Sequence, residues 1–524
     1  MKTESEVLSK GPLSQSDLES LLWKASVFLR GNIDSGEYKQ YIFGLLFYKR
    51  LCDVWNEEFE ALLVKFNGDE EQASLPEHHQ FHIPYSCMWW EEQRTIVSDV
   101  PSDESGKPYP RVLKEWDSNI GVGLSRALRE IEASNPRLRG VFQDVDFRNA
   151  ERFSDTMLRD FLEHFETHRM RCADVDSYVL GNAYEYLIAK FADDAGKKGG
   201  EFYTPKEVVR LLVQIIEPTE GDTIYDPTCG AGGMFLETIQ HLRRQQKDTN
   251  SIAIFGQEKN LNTWGICQIS LCLNDVHSYH IEKGDTIRAP KHLLSGDTLK
   301  KFDVILANPP FSLKNWGYEQ WKEGDPYQRD AFGIPPKAYG DYAFIQHMLS
   351  SMSQRGKIGL VVPMGVLFRG GKEQGIRRKI VEMDLIETII SLGQNLFYGA
   401  SIPAAIIIIK AKKESHKQGK ILFVNAEKEV VVGVAQSHLS NDNISRIAKV
   451  VLSYQEEPFF SRIVEAPEIV DNSFNLNVVR YVQTEPAQEP LDVHSIYAEI
   501  EDLRGQLEQE YNHFSHVFAG LFHD

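Results

Sequence analysis

No apolar run in this 524-residue chain approaches the ~20 residues that a membrane-crossing helix needs; the longest, 404–409, reads as a buried strand. Cysteine is scarce, six in all and none in CxxC spacing, which excludes a disulfide framework and gives no reason to expect a metal site. The opening Met1-Lys2-Thr3-Glu4-Ser5-Glu6 lacks the apolar stretch of a secretory signal, so the expected home is a reducing cytoplasm with no membrane attachment. Positive charge is also short: 57 Lys and Arg against 76 Asp and Glu leave a net charge of -19. Phosphate contacts by Lys and Arg supply most nonspecific affinity for nucleic acid, so a chain this acidic does not grip DNA unaided and would borrow affinity from a partner. An acidic surface that merely aids solubility explains the charge equally well. Internal repeats and low-complexity tracts are missing too.

What is present is an ordinary globular composition, 42% hydrophobic and 25% charged, long enough for two or three domains. Residues 1–170 read as helical. Ser16-x-x-Glu19 is a candidate capping box, followed by Leu18, Leu21, Leu22, Ala25, Phe28 and Leu29 at helical spacing; Tyr38, Tyr41, Ile42, Leu45 and Leu46 repeat the pattern. Residues 171–432 alternate short β-rich runs with helical patterns, the signature of a doubly wound α/β domain built on a parallel sheet. The expected strands are 223–226, 252–256, 279–282, 302–307, 357–362, 385–391, 404–410 and 421–425. Residues 433–524 form a third region, and its spacer 483–490 leads into a terminal helix. Val493, Ile500, Leu507, Phe514 and Leu521 mark one heptad position there, with Ile496, Leu503 and Val517 at the other; Glu510 and Gly505 interrupt the pattern. Such a helix serves either its own domain or a partner.

The strongest chemical signal is a strand that ends in Asn308-Pro309-Pro310-Phe311. Ligands of open parallel sheets bind beyond the carboxyl ends of the strands. An exocyclic amine such as adenine's is a poor nucleophile because its lone pair is delocalised into the ring. The Asn308 side-chain oxygen and the Pro309 carbonyl are two acceptors that localise that pair, and consecutive prolines hold them rigid. Phe311 offers a face on which an extruded base can stack. A plain Asn-Pro turn is the bland alternative.

Upstream, a strand ending at Asp226 runs into Pro227-Thr228-Cys229-Gly230-Ala231-Gly232-Gly233, a turn whose glycines admit a nucleotide-like ligand; it differs from GxGxxG and suits a cofactor without pyrophosphate. Glu258, at the end of the next strand, stands where ribose hydroxyls are held, and Asp285, at the end of the third, where an adenine amine is accepted. Either acid alone reads as a solvated strand end. The segment Gly200-Glu201-Phe202-Tyr203-Thr204-Pro205 opens a helix with Thr204 as N-cap and Pro205 at the first helical position, an N-terminus suited to a carboxylate.

Together with Gly181-Asn182-Ala183-Tyr184-Glu185-Tyr186-Leu187, Asn395-Leu396-Phe397-Tyr398-Gly399 and the stretch 22–53, these motifs resemble the methylation subunit of type I restriction-modification systems, over nearly the whole chain. The resemblance implies a Rossmann-like methyltransferase sheet with an N-terminal helical domain and a C-terminal helical tail. It implies transfer of methyl from S-adenosylmethionine to N6 of adenine in DNA, and two such subunits assembled with one specificity subunit, beside a separate restriction subunit. Carried over by position, Gly200 to Pro205, Ala231 to Gly233 and Glu258 bind the cofactor and Asn308 to Phe311 hold the base. Cys229 departs from the pattern, which often has a small residue there. No Pro-Cys dipeptide occurs, so the cysteine attack used on cytosine C5 has no candidate.

Residues 312–340, rich in Lys and carrying Trp316, Tyr318 and Trp321, read as a mobile loop over DNA or a surface insertion. Residues 365–372 imitate a phosphate loop out of register, with Glu373 where Ser or Thr should follow Lys372, so the chain is not expected to cut or translocate DNA. Two rival readings are methylation of a protein glutamine amide, which presents the same planar NH2, and an inert methylase-like scaffold.

Overall fold

The computed structural model describes residues 13–33, 37–89, 116, 118–175, 179–180, 204–274, 276, 278–397, 403–433, 436–483 and 493–520. Helices α1 (Gln15–Leu29), α2 (Tyr38–Lys65), α3 (Ile120–Ser134) and α4 (Asp155–Glu166) build the N-terminal part, and α1 packs on α2 and α4. Leu18, Leu22, Ala25 and Leu29 of α1 bury the expected stripe. The capping box lies two residues earlier than expected. Ser14, extended at φ -74° and ψ 162°, accepts from the Asp17 N–H while Asp17 accepts from Ser14, and Glu19 takes the Gln15 amide instead. Ser14-x-x-Asp17 satisfies the same chemistry with a shorter acid and adds half a turn to the helix.

Among the described residues, nine strands form one sheet: β1 (Thr223–Asp226), β2 (Ala253–Glu258), β3 (Tyr279–Lys283), β4 (Phe302–Ala307), β5 (Met352–Pro363), β6 (Ile386–Leu392), β7 (Ala404–Lys410), β8 (Lys420–Ala426) and β9 (Ser461–Glu465). Their spatial order is β3-β2-β1-β4-β5-β7-β6-β8-β9. Strand β7 runs antiparallel to β5 and β6, and β9 antiparallel to β8, so the sheet is mixed rather than wholly parallel. Apolar runs specify burial on both faces but not direction, which the connection lengths decide. Alternate residues enter opposite cores: Ile224, Ile254, Val304 and Leu306 on one face, Tyr225, Phe255, Ile305 and Ala307 on the other.

The chain winds from β1 outward through β2 and β3, then returns to place β4 on β1's other side. The switch point therefore falls between the carboxyl ends of β1 and β4, with Tyr225 level with Ile305 and Asp226 level with Gly256. Helix α5 (Lys206–Ile216) crosses β5 so closely that a Cβ at Gly359 would stand 2.8 Å from Leu212 and Ile216 side-chain atoms. Helices α6 (Gly233–Arg244) and α7 (Leu261–Leu273) follow β1 and β2. Gly265 of α7 lets the Val141 carbonyl of the N-terminal part come within 3.2 Å of a would-be Cβ, and Arg137 lies over the Tyr279 ring of β3. Arg50 of α2 donates to the carbonyls of Met170 and Val175.

Helices α8 (Asp341–Ser350) and α9 (Lys372–Glu382) flank β5, and α10 (Asn441–Ser453) packs on α5. Since β9 completes the sheet and α10 covers it, the boundary expected at 432–433 does not coincide with a structural break. The chain divides into two compact units, Met1–Val482 and Gln483–Asp524. The second contains α11 (Val493–Gly520), a single helix on which Ile496, Ile500, Leu503, Leu507, Phe514 and Val517 are exposed, together with Tyr497, Tyr511 and Phe518. Val493 and Leu521 of the seam fall outside the described side chains. Among the described residues, no helix is long and apolar enough to cross a membrane.

Candidate active site

The expected site residues that can be placed lie at or just beyond the carboxyl ends of the first four strands, apart from Thr204 and Pro205 at the start of α5; Gly200, Glu201, Phe202 and Tyr203 fall outside the described residues, as do 181–187. At the end of β1, buried Asp226 accepts from the Thr228 N–H at 2.8 Å and bends the chain into the glycine turn. Gly230 and Gly232 have φ of 53° and 90°, and a Cβ on Gly232 would also stand 3.0 Å from the Cys267 sulfur of α7. A Cβ at Gly233, the first residue of α6, would meet nothing within 4 Å, which leaves open space over the helix N-terminus. Cys229 is buried against the sheet and does not fill that space.

Glu258, at the end of β2, accepts from the Gly230 N–H at 2.9 Å and the Asn260 N–H at 2.7 Å, so it knits the glycine turn to its neighbour strand. Asp285 accepts from the N–H groups of Ile287 and Arg288, both at 3.1 Å, and pairs with Lys259 at 2.9 Å. Both acids thus shape backbone, whatever ligand they also meet. Burial dominates the electrostatics: the Asp226 carboxyl is pushed up to about 8, against the pull of the Thr228 N–H, and Glu258 is raised for the same reason. A ligand bearing a positive charge would relieve Asp226, and one bearing vicinal hydroxyls can share the second lone pairs of Glu258. The donor set fits such a nucleoside.

Beyond β4, Asn308 is half-buried, Pro309 buried, Pro310 exposed and Phe311 half-buried. The Asn308 Nδ2 donates to Thr204 Oγ1 at 2.9 Å, whereas its Oδ1 is buried with no hydrogen-bond partner. Buried acceptors without partners are rare, and one aimed from a strand end at the switch point marks a place for a donor. Thr204 is not the N-cap: that position is Pro205, whose ring has no group to cap with, and the threonine hydroxyl accepts from Asn308 Nδ2.

Three features escaped the sequence reading. Phe397 stands edge-on to Phe311, ring centroids 5.9 Å apart, and stiffens that ring. Ser312, at φ 52°, donates its N–H to Asp341, whose other oxygen meets Arg369. Residues 312–340 are largely irregular, with one short helix at Tyr318–Lys322 and a single turn at Arg329–Phe332, and they are anchored by buried side chains. Trp316 and Trp321 are fully buried, and Arg329, also fully buried, forks onto Asp325, donates to the carbonyls of Thr286 and Ile287, and meets His347, which bonds the Tyr225 hydroxyl. Burial and the neighbouring guanidinium hold His347 well below the usual histidine range, so it is neutral. Thr286 in turn donates to the Pro227 carbonyl at 2.6 Å. The insertion is therefore bolted to the turn carrying Asp285 and, through it, to the turn after β1. Residues 365–372 form a short turn into α9, as the register implied.

Comparison with known proteins agrees with this geometry. Residues 175–490 match the N-6 DNA methylase family and residues 18–165 the HsdM N-terminal domain. The chain is 31% identical to the MjaVII methylase subunit, from a type I restriction enzyme of Methanocaldococcus jannaschii, over 96% of this chain and 82% of that protein. It is 26% identical to the MpnII methylase subunit of Mycoplasma pneumoniae over 93% of each. A solved type I restriction-modification methyltransferase subunit from Streptococcus thermophilus superposes with a TM-score of 0.77 at 28% identity, covering 90% of this chain and 100% of that one.

Proposed function

Because the chain belongs to the N-6 DNA methylase family, as the adenine-specific methylation subunit of a type I restriction-modification enzyme, we propose that Asn308 to Phe311 hold a flipped-out adenine beside S-adenosylmethionine. The observation that carries this assignment is the buried, unpartnered Asn308 Oδ1. That oxygen and the Pro309 carbonyl accept the two N–H groups of the amine and turn its lone pair toward the donor. Phe311, braced by Phe397, stacks on the base. Asp226, Gly230, Ala231, Gly232, Gly233, Glu258 and Asp285 line the cofactor side, and the family resemblance assigns the segment Gly200 to Pro205 to the same cofactor. Asp226 faces the cationic end and Glu258 the ribose. The cofactor supplies an electrophilic methyl on sulfonium, and the residues' task is orientation and exclusion of water, with no covalent intermediate.

Helix α11 carries Glu499, Glu501, Asp502, Glu508 and Glu510 against Arg504 alone, a charge that repels phosphate, so its apolar stripe suits a protein helix. We assign it to the specificity subunit, two methylation subunits to one, in the cytoplasm, with DNA affinity and sequence choice supplied largely by that partner and cleavage by a separate restriction subunit. In functional terms the division is a helical part to residue 170, a catalytic part extended to 482, and the α11 tail.

Asn308→Ala in the assembled complex should lower single-turnover methylation by about 100-fold or more while cofactor affinity stays within about threefold. Unchanged turnover would refute the assignment. Methyl label on a protein glutamine, or on nothing at all, would favour the two rival readings, which a match of the N-terminal part to a restriction-system domain already disfavours.

A further inference from the structure

We infer that Thr204 is a positioning residue for the base-holding amide, one that keeps the oxygen of Asn308, rather than its NH2, turned to the substrate; this rests on the assignment of Asn308 as the amine's acceptor. The two ends of a primary amide have nearly the same shape and opposite hydrogen-bonding sense. A pocket for an adenine amine must present the oxygen end, and an amide turned over would set N–H against N–H. Asn308 lies one residue beyond β4, where the following prolines fix the backbone but leave the side-chain amide free to rotate. Something else must choose the rotamer.

Thr204 makes that choice. Asn308 Nδ2 donates to Thr204 Oγ1 at 2.9 Å, and Oδ1 alone is left buried without a partner. Thr204 is available for this because it does not cap α5, whose N-cap is Pro205 with no side-chain bond. The helix itself is firmly placed: Val208, Val209, Leu211 and Leu212 are buried, and α5 lies against β5 at Gly359. Thr204 therefore stands two residues before a firmly placed helix, α5, and 104 residues earlier in sequence than the amide it orients. Remove the hydroxyl and the inward NH2 loses its acceptor. The amide then gains by swinging that end toward water or into the pocket, and the oxygen leaves the amine.

The test uses the full chain assembled with its specificity subunit. Thr204→Val keeps the shape and removes the acceptor, Thr204→Ser keeps the acceptor, and Thr204→Ala is a second removal should the valine variant fail to fold. Single-turnover methylation at saturating cofactor should fall about tenfold in Thr204→Val, the equivalent of one hydrogen bond. Affinity for S-adenosylhomocysteine, measured by equilibrium binding without turnover, should stay within about threefold, and Thr204→Ser should recover most of the rate. The inference is overturned if the valine and alanine variants methylate at the wild-type rate. It is equally overturned if they weaken product binding while the saturated rate holds, since Thr204 would then serve only the cofactor. Loss of activity in Asn308→Ala with wild-type rates in Thr204→Val removes this inference alone, whereas wild-type rates in Asn308→Ala remove the reading beneath it.

Discussion

Asp226 does two jobs at one carboxylate. Its acceptor oxygen starts the glycine turn, and its burial holds the acid well above its unfolded range, up to about 8. The folded chain therefore binds a proton at this group that the unfolded chain has released once pH exceeds the ordinary carboxylate range. Stability is lost as pH rises across that window and levels off above about 8. Asp226→Asn keeps an acceptor for Thr228 but cannot ionise, so the wild-type melting temperature should fall relative to this variant between pH 6 and pH 8.5. Parallel melting curves would show that the carboxyl is not raised. At this scale the sequence was informative about identity and less so about partners. Asn308, Asp226 and Glu258 stand at strand ends and could be named because strand ends can be named. That Glu258 grips the Gly230 N–H, or that Thr204 turns to Asn308, depends on neighbours 28 and 104 residues away, which no local pattern encodes.

Elements with a period declared themselves. The eight strands expected from apolar runs are present, with ends displaced by up to five residues at β5, and α1 and α2 carry the anticipated stripes. The ninth, β9, escaped because Ser461-Arg462-Ile463-Val464-Glu465 offers only two apolar residues and forms an edge strand through pairing with β8. The insertion after Phe311 escaped for another reason: polar groups centred on Arg329 organise it, and they have no period. Arg329 and Asp325 are both fully buried, so removing one strands the other. Arg329→Met should cost about 3–5 kcal/mol in denaturant unfolding, and the double replacement Arg329→Met with Asp325→Leu should recover part of it. If the single replacement costs less than about 1 kcal/mol, the two tryptophans alone hold the insertion.

For the molecule as a whole, the separation of tasks follows from charge and from where the core ends. Among the described residues, every strand, both buried faces and all the placed site residues lie in Met1–Val482. The remaining unit presents α11 with an apolar stripe widened by Tyr497, Tyr511 and Phe518 on an acidic helix, a surface with no use for phosphate. On the proposed assignment, a chain of net charge -19 obtains its grip on DNA through whatever that helix binds. Deleting 483–524 should leave the melting temperature within about 2 °C and S-adenosylhomocysteine affinity unchanged. The same deletion should abolish copurification with the specificity subunit and reduce DNA methylation to background. Leu503→Glu with Leu507→Glu should reproduce the loss in an otherwise complete chain, because two charges on the stripe cannot be buried against a partner helix. A deleted chain that still assembles and methylates would place the partner contact on the catalytic unit, and one that unfolds would make α11 part of the fold it follows.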